Sequence, residues 1–210
     1  MITLYGNGQS RSFRALWALE EINASYIYKH MNLGLGEGSN ELCQDYLFLN
    51  SQGKVPTLTD GALVITESAA ILNYIATRSP SSCLVPENDP VLRARYDQIC
   101  YFVLSELEQP LWTSGKHRFA LPEKVRVLKI LDNTVHWEFK KAINALSHLM
   151  RGREYAMGNQ FTMADILVAH TLNWAEDFMF DVPAEFQTYR ETMYERPSCK
   201  RALIELLRRN

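Results

Sequence analysis

Within its first 80 residues the chain changes hydrophobic period again and again, and the order of those changes narrows the fold more than any other feature. Residues 2 to 5 form a short β-like run that ends at Gly6-Asn7-Gly8. From Ser10 to Ile22 the pattern turns helical, with Ala15, Ala18, Leu19 and Ile22 at i, i+3, i+4 and i+7. Tyr26 to Met31 alternates again and predicts a second strand. Gly34 to Asn40 reads as a loop, and Glu41 to Leu49 as a short, weak helix. Val55–Thr59 and Leu63–Thr66 flank Asp60-Gly61, a strong hairpin signal. Ser68 to Thr77 is helical, with Ile71, Leu72 and Ile75 apolar. The order is βαβαββα. A strand, a crossover and a strand predict a parallel pair, to which the hairpin adds an antiparallel one.

Past residue 80 the pattern is helical throughout. Ser79 to Ser82 and Pro86 to Pro90 form a polar, proline-bearing connection. The predicted organisation is therefore an α/β domain over residues 1–80, a linker over 81–90 and an all-helical domain over 91–210. Helices are expected over Val91–Leu111, stopped near Pro110, over Glu123–Met150, from Thr162 onward, and from about Ser198 to Arg209. Thr162-Met163-Ala164-Asp165 reads as a capping box with Asp in the usual Glu position, and Phe161 and Ile166 occupy the staple positions. This assigns Asp165 to folding rather than catalysis.

Composition excludes several classes. Apolar residues make up 47% and charged residues 22%, which excludes a disordered chain. The formal charge is −2, from 22 Lys+Arg against 24 Asp+Glu, and argues against nucleic-acid binding. No stretch reaches the roughly 18 uninterrupted apolar residues of a membrane span. The N-terminus lacks a basic region followed by an apolar run, so the expected location is cytoplasmic. Cysteines at 43, 83, 100 and 199 form no Cys-x-x-Cys pair and read as reduced thiols. The histidines at 30, 117, 136, 148 and 170 show no i,i+4 pairing, so no metal site is expected.

Three segments of the α/β domain could carry chemistry. Gly6-Asn7-Gly8-Gln9-Ser10-Arg11-Ser12 places hydroxyls and backbone N–H groups at a helix N-terminus, suited to an anion, although Ser10 or Ser12 could simply cap the helix. Gly53-Lys54-Val55-Pro56-Thr57-Leu58 puts a proline at a strand start. Were Val55–Pro56 cis, the Val55 N–H and C=O would point outward, free to pair with an extended ligand. In Thr66-Glu67-Ser68, Ser68 is a natural N-cap or a ligand for a carboxylate, and Glu67 a partner for an ammonium or for the helix dipole.

Together these segments resemble cytosolic glutathione transferases, in the bacterial-type, serine-using branch. The resemblance rests on Leu4-Tyr5-Gly6 with Ser10 and Arg14, on Gly53 to Leu58, on Thr66 to Ile71, on Gly158 to Ile166 and on Arg196-Pro197. It implies a thioredoxin-like N-terminal domain, a cis Val55–Pro56 bond, a helical C-terminal domain and a homodimer. It implies glutathione as co-substrate and a small apolar electrophile as second substrate, placed between the domains. By position, Ser10 meets the glutathione sulfur, with Tyr5 and then Ser12 as competitors. Val55 pairs with the cysteinyl backbone beside Pro56, Glu67 and Ser68 hold the γ-glutamyl end, and Lys54 reaches the glycyl carboxylate. Electrophile-site candidates are Tyr5, Tyr101, Trp112, His117 and Phe119, with packing as the other reading of each aromatic and a solvated loop position as that of His117. Asn50-Ser51 departs from the family's commoner Asn-Pro. Phe48 reads as packing within the chain, with insertion into a neighbouring subunit as the alternative. Rival readings are a glutathione-dependent isomerase or reductase, a non-enzymatic protein-binding relative, and a ligand-storage protein.

Overall fold

Alternation over residues 2–6 puts Ile2, Leu4 and Gly6 on one face of β1 (Ile2–Gly6), and all three are buried. The computed structural model describes residues 1–32 and 44–208; the loop read over Gly34–Asn40 lies outside them, as does Cys43. β1 is central in a four-stranded sheet of order β2-β1-β3-β4. It runs parallel to β2 (Tyr26–His30), with Leu4 opposite Tyr28, and antiparallel to β3 (Thr57–Asp60), with Leu4 opposite Leu58. β3 turns through Gly61 and Ala62 into β4 (Leu63–Ile65), and Gly61 supplies the φ of +61° that the tight turn needs.

Two ten-residue helices, α1 (Ser12–Glu21) and α3 (Ser68–Thr77), pack against each other and on the sheet. Phe13, Leu16, Trp17, Ile71, Leu72 and Ile75 lose all contact with water. Each such side chain contributes about 1.5–3 kcal/mol through burial. A short helix α2 (Gln44–Leu49) is the described remainder of the weak helix expected there.

Among the described residues, 1–32 and 44–85 cluster with 193–208, and Pro86–Thr192 make a second unit. The last helix, α9 (Pro197–Leu207), read from sequence with the helical domain, packs on α1. Glu21 accepts hydrogen bonds from Arg196 and Ser198, while Arg201 donates to Glu20 Oε2 at 2.9 Å and to Asn23 Oδ1 at 3.1 Å. The Arg196-Pro197 pair thus starts α9 and pins it to the end of α1.

The helical unit corrects three sequence expectations. Pro110 does not stop a helix. α4 (Pro90–Phe102) passes into a π turn at Val103–Leu107, where Glu108 N–H bonds the Val103 carbonyl at 2.8 Å, and α5 (Gln109–Gly115) follows. The wider turn resets the hydrogen-bond register, so Pro110 falls in a first turn, where its missing N–H costs nothing. Glu123–Met150 is not one helix either: two 3₁₀ turns, Glu123–Val125 and Leu128–Leu131, precede α6 (Thr134–Met150). Val125, Val127 and Ile130 are β-branched and disfavour a continuous helix there. The third correction is α8 (Ala184–Tyr194), which the sequence reading passed over.

α7 (Met163–Asp177) is buried along most of its length, and its start is held by Asp165. Asp165 Oδ2 accepts the Thr162 N–H at 2.7 Å and the Thr162 hydroxyl at 3.1 Å. Oδ1 accepts the Ala156 N–H and the Tyr189 hydroxyl, each at 2.6 Å. Burial pushes this carboxyl up from its ordinary pKa, and the four donors pull against that shift. No described helix is long and apolar enough to cross a membrane.

Candidate active site

The strand register gathers the three candidate segments at one end of the sheet. Tyr5 lies opposite Thr57, so the end of β1 sits beside Val55–Pro56; Leu58 lies opposite Ile65, so β4 ends there too, just before α3. β1 feeds the loop into α1 at this same end. A 3.1 Å bond from Arg14 Nη1 of α1 to Ser68 Oγ of α3 ties the two helix starts together.

The loop after β1 is built around Ser12. Its hydroxyl oxygen accepts the Asn7 N–H at 2.9 Å and lies 2.9 Å from Ser10 Oγ, while its own N–H donates to Ser10 Oγ at 3.3 Å. Asn7 is in turn fixed by its side-chain amide, which donates to the Met31 carbonyl at 2.7 Å. Ser12 is buried and Ser10 half-buried, so Ser10 presents the reachable hydroxyl of the pair. Gly6 makes this packing possible, since a Cβ there would meet Tyr28 Oη at 2.7 Å and Ser12 Oγ at 2.9 Å. Gly6→Ala is expected to lower stability by about 1–3 kcal/mol through overpacking and to displace the serine pair. Urea unfolding run alongside a turnover assay checks this: the expected outcome is loss of both, and full stability with full turnover contradicts it.

Tyr5 points elsewhere. Its ring packs on Tyr46 at 5.6 Å and lies under the Lys29 ammonium at 5.2 Å. Tyr46 and Asn50 instead brace the proline loop. Tyr46 Oη donates to the Lys54 carbonyl, which also accepts Asn50 Nδ2 at 2.8 Å, and Tyr46 Oη lies 2.9 Å from Thr57 Oγ1. Burial pushes the Tyr46 phenol up, so it remains a neutral donor. The Val55–Pro56 bond is cis. Among the described residues the Val55 N–H and C=O take no hydrogen bond. Asn50 also accounts for the family's missing proline: its carbonyl accepts Gly53 N–H at 2.9 Å and its side chain accepts Gln52 N–H at 3.1 Å, so the turn closes with Ser51. Lys54 Nζ rests on Gln52 Oε1 at 3.0 Å, at the exposed rim.

At α3 the structure corrects one reading. Ser68 is not the N-cap but the first helical residue; Glu67 holds the cap position, makes no side-chain cap bond, and adopts φ 65°. A non-glycine residue with this φ is strained, and such residues concentrate where a site demands them. The first N–H groups of α3 have no intrahelical partner, a setting that favours a carboxylate. Glu67 is exposed and Ser68 buried.

In the helical unit, Trp112 packs on Trp174 at 6.5 Å, Trp174 on Phe178 at 5.6 Å, and Phe119 on Phe178 at 6.1 Å. Trp174 and Phe178 escaped the sequence reading; their i,i+4 spacing, from the last turn of α7 to the residue that caps it, was the available signal. His117 lies in a second π turn, Lys116–Ala120, and its Nδ1 accepts the Val127 N–H at 2.9 Å, so it fastens the chain that follows rather than standing free in a loop. Tyr101 is 65% exposed and outside the cluster. Phe48 does not pack within the chain, being 92% exposed. Burial pushes the thiols of Cys100 and Cys199 up to about 12, so neither supplies a thiolate near neutral pH. No group of His, Cys, Asp and Glu suited to a metal ion occurs among the described residues.

The sheet order, with its cis-proline loop, defines a thioredoxin-like domain, here followed by a helical one. Residues 1–77 match the glutathione S-transferase N-terminal domain, and residues 112–197 the C-terminal domain. The chain is 32% identical to glutathione S-transferase D7 of Drosophila melanogaster over 68% of its own length and 62% of that protein's. It is 32% identical to glutathione S-transferase 1 of Dianthus caryophyllus, over 76% of this chain and 70% of that one. A sphingomonad glutathione S-transferase, solved with glutathione bound, superposes with a TM-score of 0.82 at 26% identity, over 97% of this chain and 98% of that one. The chain belongs to the glutathione S-transferase family.

Proposed function

We propose that this chain conjugates the thiolate of glutathione to small apolar electrophiles. The observation that carries the reading is the convergence, at one end of the sheet, of the Ser10 hydroxyl, the unpaired Val55 backbone and the start of α3. Glutathione is a peptide carrying a thiol, two carboxylates and an ammonium. Val55 pairs with its cysteinyl backbone beside Pro56. The α-carboxylate of its γ-glutamyl end meets Ser68 and the free N–H groups of α3, and Glu67 takes the ammonium. Lys54 reaches the glycyl carboxylate.

Ser10 donates its proton to the sulfur. Ser12 braces that hydroxyl: its oxygen accepts the Asn7 N–H at 2.9 Å and lies 2.9 Å from Ser10 Oγ, and its N–H donates to Ser10 Oγ at 3.3 Å. Ser10 Oγ, already accepting, then has its own proton to give. The thiol proton leaves to water, the thiolate forms a C–S bond to the electrophilic carbon, and the leaving group departs with its electron pair. Trp112, Phe119, Trp174 and Phe178 offer the apolar surface that an aromatic or alkyl electrophile requires. The exposed Phe48 fits a homodimer, in which a partner covers it, and the site's chemistry fits a cytoplasmic enzyme working in a glutathione pool.

Calorimetric titration with reduced glutathione tests the assignment. Saturable binding is expected, weakened roughly tenfold or more in Ser68→Ala, since a hydrogen bond to a charged group contributes about 1.5–3 kcal/mol. No detectable binding up to millimolar ligand overturns the transferase reading.

A further inference from the structure

We propose that the helical unit carries a separate site for small phosphate-bearing anions, in a cavity between α4 and the end of α6. The cavity has a volume of about 220 Å³ and is lined by Arg95, Gln98 and Ile99 of α4, His148 near the end of α6, and Arg151 and Arg153 just beyond it. Three arginines, a histidine and a glutamine line one concave space together with the apolar Ile99 and Leu149, and no acidic residue is among the described residues that line it.

The pairing pattern of the arginines singles this place out. Arg78, Arg93, Arg190, Arg196, Arg201 and Arg208 each meet a carboxylate. Arg14 bonds Ser68, Arg126 bonds the Leu121 carbonyl, Arg118 lies over the Phe178 ring, and Arg11 is likewise engaged. Among the described residues, the arginines left without a partner are Arg95, Arg151 and Arg153, and all three line the same cavity. Two of the nearby acids are committed elsewhere: Asp97 pairs with Arg93 at 3.0 Å, and Glu185, across a neighbouring cavity that shares Arg153, accepts the Ser147 hydroxyl at 2.7 Å.

The backbone builds the cluster. Arg95, Gln98 and Ile99 share one face of α4 at i, i+3 and i+4. α6 ends on Arg151 at φ 51° and Gly152 at φ 65°, two left-handed residues in succession, with Arg151 N–H on the Ser147 carbonyl at 2.8 Å and Arg153 N–H on the Met150 carbonyl at 3.1 Å. A bulky side chain at such a φ is uncommon. The negative end of the α6 dipole accounts for one nearby cation, not for a further guanidinium arriving from α4.

The chemistry of the occupant follows. Guanidinium forks match phosphate oxygens, and three of them suit a multiply charged anion better than a lone carboxylate. At about 30 Å³ per water the space holds roughly seven waters, enough for one or two phosphoryl groups with a short organic part. A nucleic-acid backbone needs a long basic track, which the formal charge of −2 does not favour.

Pyrophosphate and orthophosphate are the probes, titrated calorimetrically at about 0.15 M salt, where exposed charges are already screened within roughly 8 Å. Pyrophosphate is expected to bind with a Kd below about 1 mM and more tightly than orthophosphate. Arg95→Gln and Arg153→Gln each weaken it about tenfold or more, whereas Arg93→Gln, on the same helix but paired, leaves it unchanged. No saturable binding up to about 10 mM overturns the proposal, as does equal weakening by Arg93→Gln. Sedimentation covers the remaining outcome. If Arg95→Gln converts a larger species to monomers, the arginines face carboxylates of a second copy of this chain, and the anion site is refuted.

Discussion

Ser10→Ala should cut turnover tenfold or more near neutral pH while leaving glutathione affinity almost intact. A free thiol has a pKa near 8.5, so about 3% is ionised at pH 7. A hydrogen bond donated to the thiolate favours the charged form by about 1.5–3 kcal/mol, or roughly one to two pKa units. Removing it returns the bound thiol toward its free value. The sign follows: the deficit is largest below the lowered pKa, shrinks as pH rises, and vanishes above about pH 9, where the thiol ionises unaided. The pH profile of kcat/KM for both proteins checks this. An unchanged profile transfers the role to another hydroxyl, and Tyr5→Phe is the next variant to assay.

Asp165→Ala should produce the largest loss of stability of any single substitution considered for this chain. The carboxylate accepts from Ala156 N–H, Thr162 N–H, Thr162 Oγ1 and Tyr189 Oη, all buried. Hydroxyls can rotate toward other acceptors, but the two amides cannot, and each orphaned buried donor costs about 1–3 kcal/mol. The expected loss is about 2–6 kcal/mol, a large share of the 5–15 kcal/mol that holds a domain together. At about 2–4 °C per kcal/mol for a chain of this size, the midpoint falls by roughly 10 °C. Thermal unfolding followed by circular dichroism measures it. A fall of under about 2 °C would show that the polar groups find replacements and that the network does not hold α7 in place.

The α/β half was legible because its signals are local. Asp60-Gly61 between two apolar runs encodes the hairpin, and the helix over Ser68–Thr77 has the predicted bounds. Thr162 and Asp165 announce the start of α7 for the same reason, since a capping box acts within four residues. What failed to show depends on register or on distant partners. Pro110 looks like a stop until the π turn before it is known. α8 has buried Phe186, Tyr189 and Met193 at i, i+3 and i+7, a helical stripe thinned by threonines and polar residues. In the candidate site, the segments that hold Ser10, Val55 and Ser68 were legible one by one, but it was the family resemblance, not segment order or strand pattern, that joined them into one site. Their finer arrangement did not show. The Ser10–Ser12 hydroxyl pair, the bond from Arg14 to Ser68 and the left-handed φ of Glu67 are set by packing across the sheet, and no spacing rule encodes them. Phe48 misled for the opposite reason: an apolar residue in the stretch before the third strand reads as packing within the chain, yet it is 92% exposed.

The central claim is that this chain binds glutathione and ionises its thiol through Ser10. An ultraviolet difference titration of thiolate absorbance, with glutathione bound to the native protein and to Ser10→Ala, tests it without any electrophile. The bound thiol is expected to titrate about one to two units below 8.5 in the native protein and near 8.5 in the variant. Equal pKa values in the two proteins, or a native value no lower than that of free glutathione, would contradict it.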